Sequence, residues 1–383
     1  MRIDTSKGFK VLSLFDGISC GMVALERAGI SVERYVAYEI DKYAIKVSQK
    51  NYPQIEQMGD VTTADFTQYK GFDLLIGGSP CTYWSIAKKG REITPDGVGG
   101  QLFMHFVRAL KESGCKYFLY ENNYSIHKDI KAFISEQLGV EPIMINSALV
   151  SAQQRKRCYW TNIPNVQQPK DKRILLKDIL ESGIPWQEKS YAYTTRCQAA
   201  IFKDTLEKHR HTMVAEPFIY QRPHGFNKGG IKIKSKMPTV TATGSFIHNN
   251  YIIEPIRIGQ YGNGGQGQRI YSPYGKSVAL SANGGGQGAK TGLYLISIDE
   301  TPKLKCKIYT VNNGCVECNG KSYFINLPDG DYIIRKLTPV EAERLQTLPD
   351  NYTEGISNTQ RYKCIGNGWT VDVIAHIFKY LEV

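Results

Sequence analysis

A cysteine stands directly after a proline in the segment "GGSPCTYWS", which spans residues 77–85. Pro80 restricts the backbone in front of Cys81, and Gly77 and Gly78 allow a ligand to approach the chain closely. A cysteine at the end of a strand is often only a small buried hydrophobic residue, but its thiolate is also a strong nucleophile. The chemistry open to Cys81 therefore depends on the side chains and the ligand that lie beside it.

A second set of residues indicates a pocket for a nucleoside. The segment "FDGISCG" turns from a strand into a helix but lacks the three-glycine spacing that holds a pyrophosphate. Glu39 ends the next strand, where a carboxylate can accept both ribose hydroxyls, and Asp60 in "GDVT" could accept from an adenine amino group. A ligand with ribose and adenine but no phosphate suggests S-adenosylmethionine. The alternative is that Asp16, Glu39 and Asp60 are ordinary caps and turn residues.

A thiolate, a carboxylic acid and a methyl donor together suit methylation of a pyrimidine at carbon 5. Carbon 5 is too weak a nucleophile to attack a methyl sulfonium, but a thiolate added to carbon 6 turns the ring into an enamine. Glu121 ends a later strand, and its protonated carboxyl could stabilise the adduct at nitrogen 3, while the same group could accept from the 4-amino group of cytosine. The segment "SAQQRKR" adds Gln153, Arg155 and Arg157 from an extended stretch. A base in a duplex would have to be flipped into such a pocket.

Alternating strands and helices in the first 160 residues are expected to bring these groups together. We predict strands in "KVLSLFDG", "RYVAYEID", "GFDLLIGGSP" and "KYFLYENN", with helices in "CGMVALERAG", "KYAIKVSQKNY", "GQLFMHFVRALKESG" and "IHKDIKAFISEQLG". This order indicates βαβ units, and hence an α/β fold with a mainly parallel sheet. Ligands bind along the carboxyl edge of such sheets, which is where the predicted strands end in acidic or polar residues.

The remainder of the chain has a different pattern of residues. From about residue 165 helical periodicity fades and glycine becomes dense, and the segments "KMPTVTATGSF" and "GKSVALSANGG" predict two similar hairpin-like elements. The segment "RKLTPVEAERLQTLP" predicts a helix with Thr338 as N-cap, Pro339 in its first turn and Glu341 three residues after the cap, and "GWTVDVIAHIFKYL" predicts a final helix. We predict a catalytic domain over 1–164, an inserted domain over 165–334 that is mostly β or irregular, and completion of the catalytic domain by 335–383.

The composition of the chain limits the classes of protein to which it can belong. The chain has 383 residues, 42% of them hydrophobic, and a formal net charge of +12, which favours a polyanionic partner. Among nine cysteines the one close pair is Cys315 and Cys318; Cys306 is the nearest third, and no histidine completes a set of about four zinc ligands. We therefore expect reduced thiols and no metal. Without a long apolar run or a signal peptide, the chain is expected to be soluble and cytoplasmic, with no membrane contact.

In their order along the chain, these blocks resemble the DNA cytosine-5 methyltransferase family, and in particular its bacterial and phage modification enzymes. The resemblance covers nearly the whole chain and rests on the blocks "FDGISCG", "YEID", "GDV", "GGSPCTYWS", "YENN", "QQRKR", "RKLTPVEAERLQ" and "GNGWTV". It implies a Rossmann-like class I methyltransferase domain and a smaller target-recognition domain. It also implies S-adenosyl-L-methionine as methyl donor, S-adenosyl-L-homocysteine as product, and catalytic roles for Cys81, Glu121, Arg155 and Arg157.

The resemblance further implies which residues bind the cofactor and what the partners are. Phe15, Glu39 and Asp60 would hold the adenosine, and Asn367 and its neighbours would close the methionine end. The full set implied to bind the cofactor is Phe15, Asp16, Gly17, Ser19, Gly21, Glu39, Ile40, Asp60, Val61, Pro80, Asn367, Gly368, Trp369 and Thr370. The implied partner is double-stranded DNA, a cognate restriction endonuclease is a candidate second partner, and the enzyme is expected to be a monomer.

The sequence departs from the family pattern at three places. Thr82 stands where glutamine is common, Asn123 where valine is usual, and Gly368–Trp369 where serine and an aliphatic residue are common. Every chemical role in the proposed reaction is still filled. The tryptophan version resembles the animal de novo branch of the family.

Two alternative functions stay open at the level of sequence. One branch of the same family methylates tRNA, but its recognition region is compact, so the long insert here favours duplex DNA. The second alternative is an inactive relative that binds DNA without modifying it, and the presence of both Cys81 and Glu121 argues against this. The DNA sequence that would be recognised does not follow from the residues.

Overall fold

A computed structural model describes residues 8–85, 90–195, 201–209, 211–216, 219–221, 230–232, 250–252, 257–260, 269–271 and 307–382. The side chains of Cys81 and of residues 219–271 lie outside this description, as do Cys306 and the two predicted hairpin-like elements in "KMPTVTATGSF" and "GKSVALSANGG". The chain divides into two compact units. The first comprises Met1–Ile179, Glu188–Ala200 and Leu337–Val383, and the second comprises Leu180–Gln187 and Ile201–Lys336.

A mainly parallel sheet forms the centre of the first unit, as predicted. The described strands of this unit are β1 Phe9–Leu14, β2 Val32–Tyr38, β3 Glu56–Gln57, β4 Leu74–Gly77, β5 Tyr117–Asn123, β6 Ile143–Asn146, β7 Gln153–Gln154, β8 Lys156–Thr161 and β9 Ser190–Tyr191. Seven of them lie in the order β3-β2-β1-β4-β5-β8-β6, parallel from β3 to β5 and antiparallel where β8 meets β5 and β6. Strand order reverses between β1 and β4, which creates the switch point where such sheets bind ligands.

Helices cover both faces of this sheet. The described α-helices of the chain are α1 Cys20–Ala28, α2 Lys42–Asn51, α3 Val98–Ser113, α4 Lys128–Leu138, α5 Phe202–Lys208, α6 Pro339–Leu345, α7 Asn358–Asn367 and α8 Val371–Phe378. Short 3₁₀ helices span Val61–Thr63, Phe66–Tyr69, Cys81–Tyr83, Ser147–Leu149 and Leu176–Asp178. Because side chains alternate along a strand, Val11 packs in the core beside α1 and α8, whereas Leu12 packs in the core beside α3 and α4.

The C-terminal segment returns to the first unit through α6, α7 and α8. The predicted cap of α6 is confirmed, since Thr338 and Glu341 form a reciprocal capping box and Pro339 opens the helix. Helix α7 was not predicted, because "NTQRYKCIGN" has no clear apolar period. A buried ion pair fixes it instead, with Arg361 Nη2 2.9 Å from Glu343 Oε1.

The structure places residues 165–179 in the first unit, so the boundary predicted at residue 165 differs from the observed division. Backbone and charged contacts account for the difference. The backbone N–H of Lys172 donates to the carbonyl of Leu149 at 2.7 Å, and its ammonium lies 2.6 Å from Asp372. A polar segment can thus belong to a domain through such contacts while it lacks the apolar pattern of a core element.

The described part of the second unit is mostly β-structure, with one short helix, α5. Its described strands are β10 Met213–Glu216, β11 Ile219–Gln221, β12 Gly230–Lys232, β13 Asn250–Ile252, β14 Arg257–Gln260, β15 Arg269–Tyr271, β16 Ile308–Asn312, β17 Cys315–Cys318, β18 Lys321–Phe324 and β19 Gly330–Lys336. An antiparallel sheet of order β10-β19-β16-β17-β18 packs over a core that includes Phe202, Val311 and Tyr332. Cys315 and Cys318, three residues apart on β17, point to opposite faces of that strand.

Among the described helices, none combines the length and the apolar character that crossing a lipid bilayer requires.

Candidate active site

The turn after β1 has an unusual backbone. Phe15, Gly17 and Ser19 all have positive φ, at 56°, 62° and 60°. Asp16 stabilises this turn, since its carboxylate accepts hydrogen bonds from Ser13 and Ser19 at 2.6 Å and from the Tyr35 hydroxyl at 2.7 Å. Internal hydroxyl groups therefore occupy most of the acceptor capacity of Asp16.

Glu39 lies directly after β2 and faces this turn. Its Oε2 accepts from the backbone N–H of Gly17 at 2.8 Å, and its Oε1 accepts from the N–H groups of Ile40 and Asp41, both at 2.8 Å. These bonds fix the orientation of the carboxylate. A carboxylate offers about four acceptor positions, so Oε2 can still accept from a ligand hydroxyl. Ile40 beside it is 74% exposed.

A buried polar cluster fixes the segment that leads to Cys81. The Ser79 hydroxyl lies 2.6 Å from the Tyr120 hydroxyl, and the Asn122 amide donates to the Tyr120 hydroxyl at 3.2 Å and to the Ser79 carbonyl at 3.4 Å. The carboxyl ends of β4 and β5 are thereby joined. Cys81 begins the 3₁₀ helix Cys81–Tyr83 immediately after this junction.

Glu121 on β5 is held by two donors. Its Oε1 lies 2.8 Å from Nε of Arg157, and its Oε2 accepts from the indole N–H of Trp369 at 3.1 Å. The register of β5 against β8 explains the first contact: Glu121 is opposite Tyr159, and Arg157 lies two residues from Tyr159 on the same face. Glu121 and Arg157 are only 12% and 13% exposed, so their ion pair is largely shielded from water.

Arg155 is buried between β7 and β8 and binds backbone carbonyl groups. Its Nη1 donates to the carbonyl of Tyr193 at 2.7 Å and its Nη2 to the carbonyl of Gly368 at 3.1 Å. A polar network continues from there, because Gln346 Nε2 donates to the carbonyl of Gly368 at 3.3 Å and Gln346 Oε1 accepts from Gln153 at 2.9 Å. Arg155 therefore joins the C-terminal segment to the edge of the sheet.

These groups border one cavity of about 190 Å³. Of the residues predicted for the site, the cavity is lined by Phe15, Asp16, Gly17, Glu39, Pro80, Glu121, Arg155, Arg157, Asn367, Gly368 and Trp369. The departures from the family pattern also lie here, because Thr82 and Asn123 line the same cavity as Gly368 and Trp369. The structure thus brings the proposed cofactor and pyrimidine groups together in a single space.

Other predicted residues lie outside the lining of this cavity. Ser19 and Gly21 are buried at the start of α1, Val61 is buried and Thr370 belongs to the polar network. Asp60 is exposed, and its carboxylate caps the 3₁₀ helix Val61–Thr63 by accepting from the N–H of Thr62 at 2.8 Å. The role of Asp60 toward an adenine stays a prediction.

Two further thiols line the cavity but are poor nucleophiles at neutral pH. Burial raises the pKa of Cys20 and the pKa of Cys364 to about 12 each. A thiol with such a pKa is almost entirely protonated at pH 7, and the protonated form does not attack. Neither group therefore replaces Cys81 as the candidate nucleophile.

Sequence reasoning missed the residues that support the site. Asn122 and Ser79 connect β4 to β5, and Gln346 connects the C-terminal segment to Gln153 and Thr370. In the sequence these residues differ from others only in that they lie beside the predicted catalytic and cofactor-binding residues. Polar residues at such positions are also typical of exposed loops. Their burial became apparent only from the fold.

Replacing Gln346 with methionine is expected to lower the free energy of unfolding by about 2 to 4 kcal/mol, because several buried polar groups lose a partner. Gln346 bonds to Gln153, Thr370, and the carbonyls of Ile365 and Gly368. Urea unfolding of the variant and the native protein measures this difference. Gln68→Met is the matched control on the exposed surface, and equal losses in the two variants would contradict the prediction.

The free energy of unfolding should also depend on pH through Asp16. Burial raises the pKa of this carboxyl to about 6. Because its pKa in the unfolded chain is about 3.9, the stabilisation from the protonated form is complete below that value and is lost as pH rises through about 6. We expect Asp16→Asn to gain about 2 to 3 kcal/mol relative to the native protein between pH 4 and 7. Urea unfolding at both pH values measures it, and parallel stability curves would contradict the expectation.

The parallel sheet, its switch point and the cavity at its carboxyl edge define the class of Rossmann-like α/β methyltransferases. The chain belongs to the C-5 cytosine-specific DNA methylase family, whose sequence model matches residues 9–382. It is therefore an enzyme, and it methylates carbon 5 of cytosine in DNA. The family and the fold class predicted from the sequence are both confirmed.

Relatives come from phages and bacteria. The orphan methyltransferase M.SPRI of Bacillus phage SPR is 29% identical, over 97% of this chain and 97% of its own length. The type II methyltransferase M.HhaI of Haemophilus parahaemolyticus is 26% identical, over 97% of this chain and 93% of its own. Among solved structures, the Entamoeba histolytica methyltransferase EhMeth has a TM-score of 0.55 at 15% identity and covers 98% of both chains, a likeness in fold.

Proposed function

We propose that the cavity binds S-adenosyl-L-methionine beside a cytosine that has been flipped out of duplex DNA. The observation that carries this proposal is that Glu121 and Arg157 line the same cavity as Phe15 and Glu39. Chemistry at a pyrimidine and recognition of an adenosine can then take place within one space. When bound, the cofactor supplies a methyl group on a sulfonium, which is electrophilic.

The acceptor groups of the cavity fit a cationic nucleoside. Asp16, Glu39 and Asp41 line it, and Asp41 also pairs with Lys363. The two arginines in the lining are bonded to backbone carbonyls and to Glu121, so the remaining carboxyl groups favour a positively charged sulfonium or ammonium. Glu39 retains acceptor capacity on Oε2 for a ribose hydroxyl, and Phe15 and Ile40 offer apolar surface near it for a purine. This combination argues against NAD or ATP as the ligand.

The proposed chemistry on the base begins with Cys81. Its sulfur forms a bond to carbon 6 of cytosine while Glu121 gives a proton to nitrogen 3, which leaves an enamine with electron density on carbon 5. Carbon 5 would then take the methyl group of the sulfonium, and S-adenosyl-L-homocysteine would leave. Carbon 5 loses its proton to solvent, the bond between sulfur and carbon 6 breaks, and nitrogen 3 returns its proton to Glu121. These steps restore the aromatic ring, the thiolate and the carboxyl group.

The two arginines are proposed to support this reaction in different ways. Arg157 pairs with Glu121 and is close enough to the cavity to contact the base as well. Arg155 has its guanidinium directed to the carbonyls of Tyr193 and Gly368, so we assign it the support of the cavity wall rather than direct contact with the base. Both assignments refine the roles implied by the family resemblance.

We further propose that the second unit recognises the DNA target. The net charge of +12 suits contact with phosphates, and a mostly β unit with glycine-rich segments can contact base edges. A cytoplasmic monomer that acts on double-stranded DNA is the simplest arrangement. A cognate restriction endonuclease is a candidate partner; one relative is called type II and another orphan, so the family names support either state.

Bisulfite sequencing of DNA from cells that express the protein tests the function and finds the target at once. We expect methylated cytosine within one or a few defined sequences. Methyl transfer to unmethylated duplex DNA should greatly exceed transfer to tRNA in a parallel assay with purified protein. Preferential labelling of tRNA would overturn the proposed substrate.

A further inference from the structure

Each oxygen of the Glu121 carboxylate accepts from one side-chain donor of the protein. Nε of Arg157 is 2.8 Å from Oε1, and the indole Nε1 of Trp369 is 3.1 Å from Oε2. The space beside Oε2 is narrow as well, because a Cβ at Gly78 would lie 3.1 Å from Oε2 and 3.5 Å from Nε1 of Trp369. Glycine at position 78 keeps the contact between the indole and the carboxylate free of obstruction.

These contacts constrain how Glu121 can act on a base. An indole N–H and a guanidinium are donors only, so each of them takes one acceptor position of the carboxylate. A carboxylate offers about four such positions, so one position on each oxygen stays available to nitrogen 3 or to an amino group of a base. The two donors thereby fix the direction in which the available positions point.

Hydrogen bonds fix the backbone around Trp369, and the ring of Trp369 packs against the core of the first unit. The N–H of Gly368 donates to the carbonyl of Cys364 at 3.0 Å, and the carbonyl of Gly368 accepts from Arg155 at 3.1 Å. On the other side, the hydroxyl of Thr370 donates to Gln346 at 2.9 Å. The anchored backbone and the packed ring together hold the indole N–H beside the carboxylate of Glu121.

We propose that Trp369 is a positioning residue for Glu121. Its indole N–H holds Oε2 so that the remaining acceptor position of this oxygen is directed to a pyrimidine in the cavity. This inference rests on the proposed role of Glu121 in the reaction, and it assigns to the tryptophan a function other than contact with the cofactor.

The test is a double-mutant cycle of Trp369→Phe with Glu121→Gln. Tritium transfer from labelled S-adenosylmethionine to unmethylated plasmid DNA gives kcat and both KM values. We expect Trp369→Phe to lower kcat about tenfold, which matches the loss of one hydrogen bond to the carboxylate, with the KM for the cofactor unchanged. In the Glu121→Gln background the same substitution should have no further effect.

Two further variants isolate the indole N–H from the packing of the ring. Incorporation of 3-benzothienylalanine at position 369 keeps the shape of the ring and replaces the N–H by sulfur, so it should lower kcat as phenylalanine does. Trp160→Phe is the matched control, because it also removes one indole hydrogen bond, here to Ser135 at 3.0 Å, but away from the cavity. It should leave kcat unchanged.

The possible results separate this inference from the function on which it rests. An additive loss from Trp369→Phe in the Glu121→Gln background would overturn the inference while Glu121 keeps its role. The inference would also be overturned by a native rate with 3-benzothienylalanine, or by a raised KM for the cofactor at unchanged kcat, which would make Trp369 a cofactor contact only. Near-native turnover of Glu121→Gln alone would instead remove the proposed role of Glu121, and the inference with it.

Discussion

Replacing Cys81 with serine is expected to reduce methyl transfer by at least about four orders of magnitude, because a serine hydroxyl is far less ionised than a thiol and a poorer nucleophile. Binding of duplex DNA should persist, since the substitution changes one atom. The measurement is tritium transfer from labelled S-adenosylmethionine to unmethylated plasmid DNA, with DNA affinity determined by fluorescence anisotropy at a fixed salt concentration.

Cys115→Ser is the matched control for this variant. Cys115 is a buried thiol after α3 and accepts from the Ser113 hydroxyl at 3.2 Å. It does not line the cavity, so its serine variant should keep a native rate even if it loses some stability. A comparable loss of activity in both variants would point to a general effect of replacing cysteine, and equal turnover of Cys81→Ser and the native protein would rule out the covalent mechanism.

A covalent trap distinguishes an active enzyme from an inactive DNA-binding relative. Duplex DNA with 5-fluorocytosine at the target carries fluorine in place of the hydrogen that must leave carbon 5, so the adduct with sulfur should persist. We expect a complex that survives denaturing electrophoresis for the native protein and for Cys115→Ser, but not for Cys81→Ser. Retained DNA affinity without an adduct in the native protein would favour the inactive relative.

The sequence predicted the elements of the first unit well because their signals are local. Period and length identify the strands that Phe15, Glu39 and Cys81 follow, and the parallel order follows from the helices between them. Residues that follow these strands lie at the carboxyl edge of the sheet whatever the exact register. Their positions in the sequence were therefore enough to predict that they share one edge.

Contacts between side chains depended on register and on segments far apart in sequence. The pairing of Glu121 with Arg157 requires that β8 run antiparallel to β5 in one register, which no local pattern determines. Contact between Glu121 and Trp369 joins residues 248 positions apart. The sequence indicated that these segments come together at one site, but it did not indicate which of their side chains pair.

The burial of polar side chains was the feature that was hardest to predict from the sequence. Gln346 and Arg361 have the residue types of an exposed helix, yet both are buried because each finds partners in other segments. Asp60 is the opposite case, since a residue expected in the pocket is exposed and caps a short helix. Residue type alone does not distinguish a ligand contact from a cap.

Replacing Glu121 with glutamine should lower methyl transfer by about two to four orders of magnitude. A neutral amide cannot protonate nitrogen 3. It also presents an NH₂ group to one of two donors, since Arg157 and Trp369 occupy the two carboxylate oxygens at 2.8 Å and 3.1 Å. The variant therefore loses the proton and the orientation of the group together.

Two measurements assign this loss to a chemical step. Release of tritium from carbon 5 of labelled cytosine in DNA, without methyl donor, reports the addition of the thiolate and should slow in proportion to methyl transfer, because both need protonation at nitrogen 3. Glu136→Gln, on the exposed face of α4, is the matched control and should behave as the native protein. If Glu121→Gln released tritium at the native rate but transferred methyl groups slowly, Glu121 would act after thiolate addition. Native rates in both assays would exclude Glu121 from the reaction.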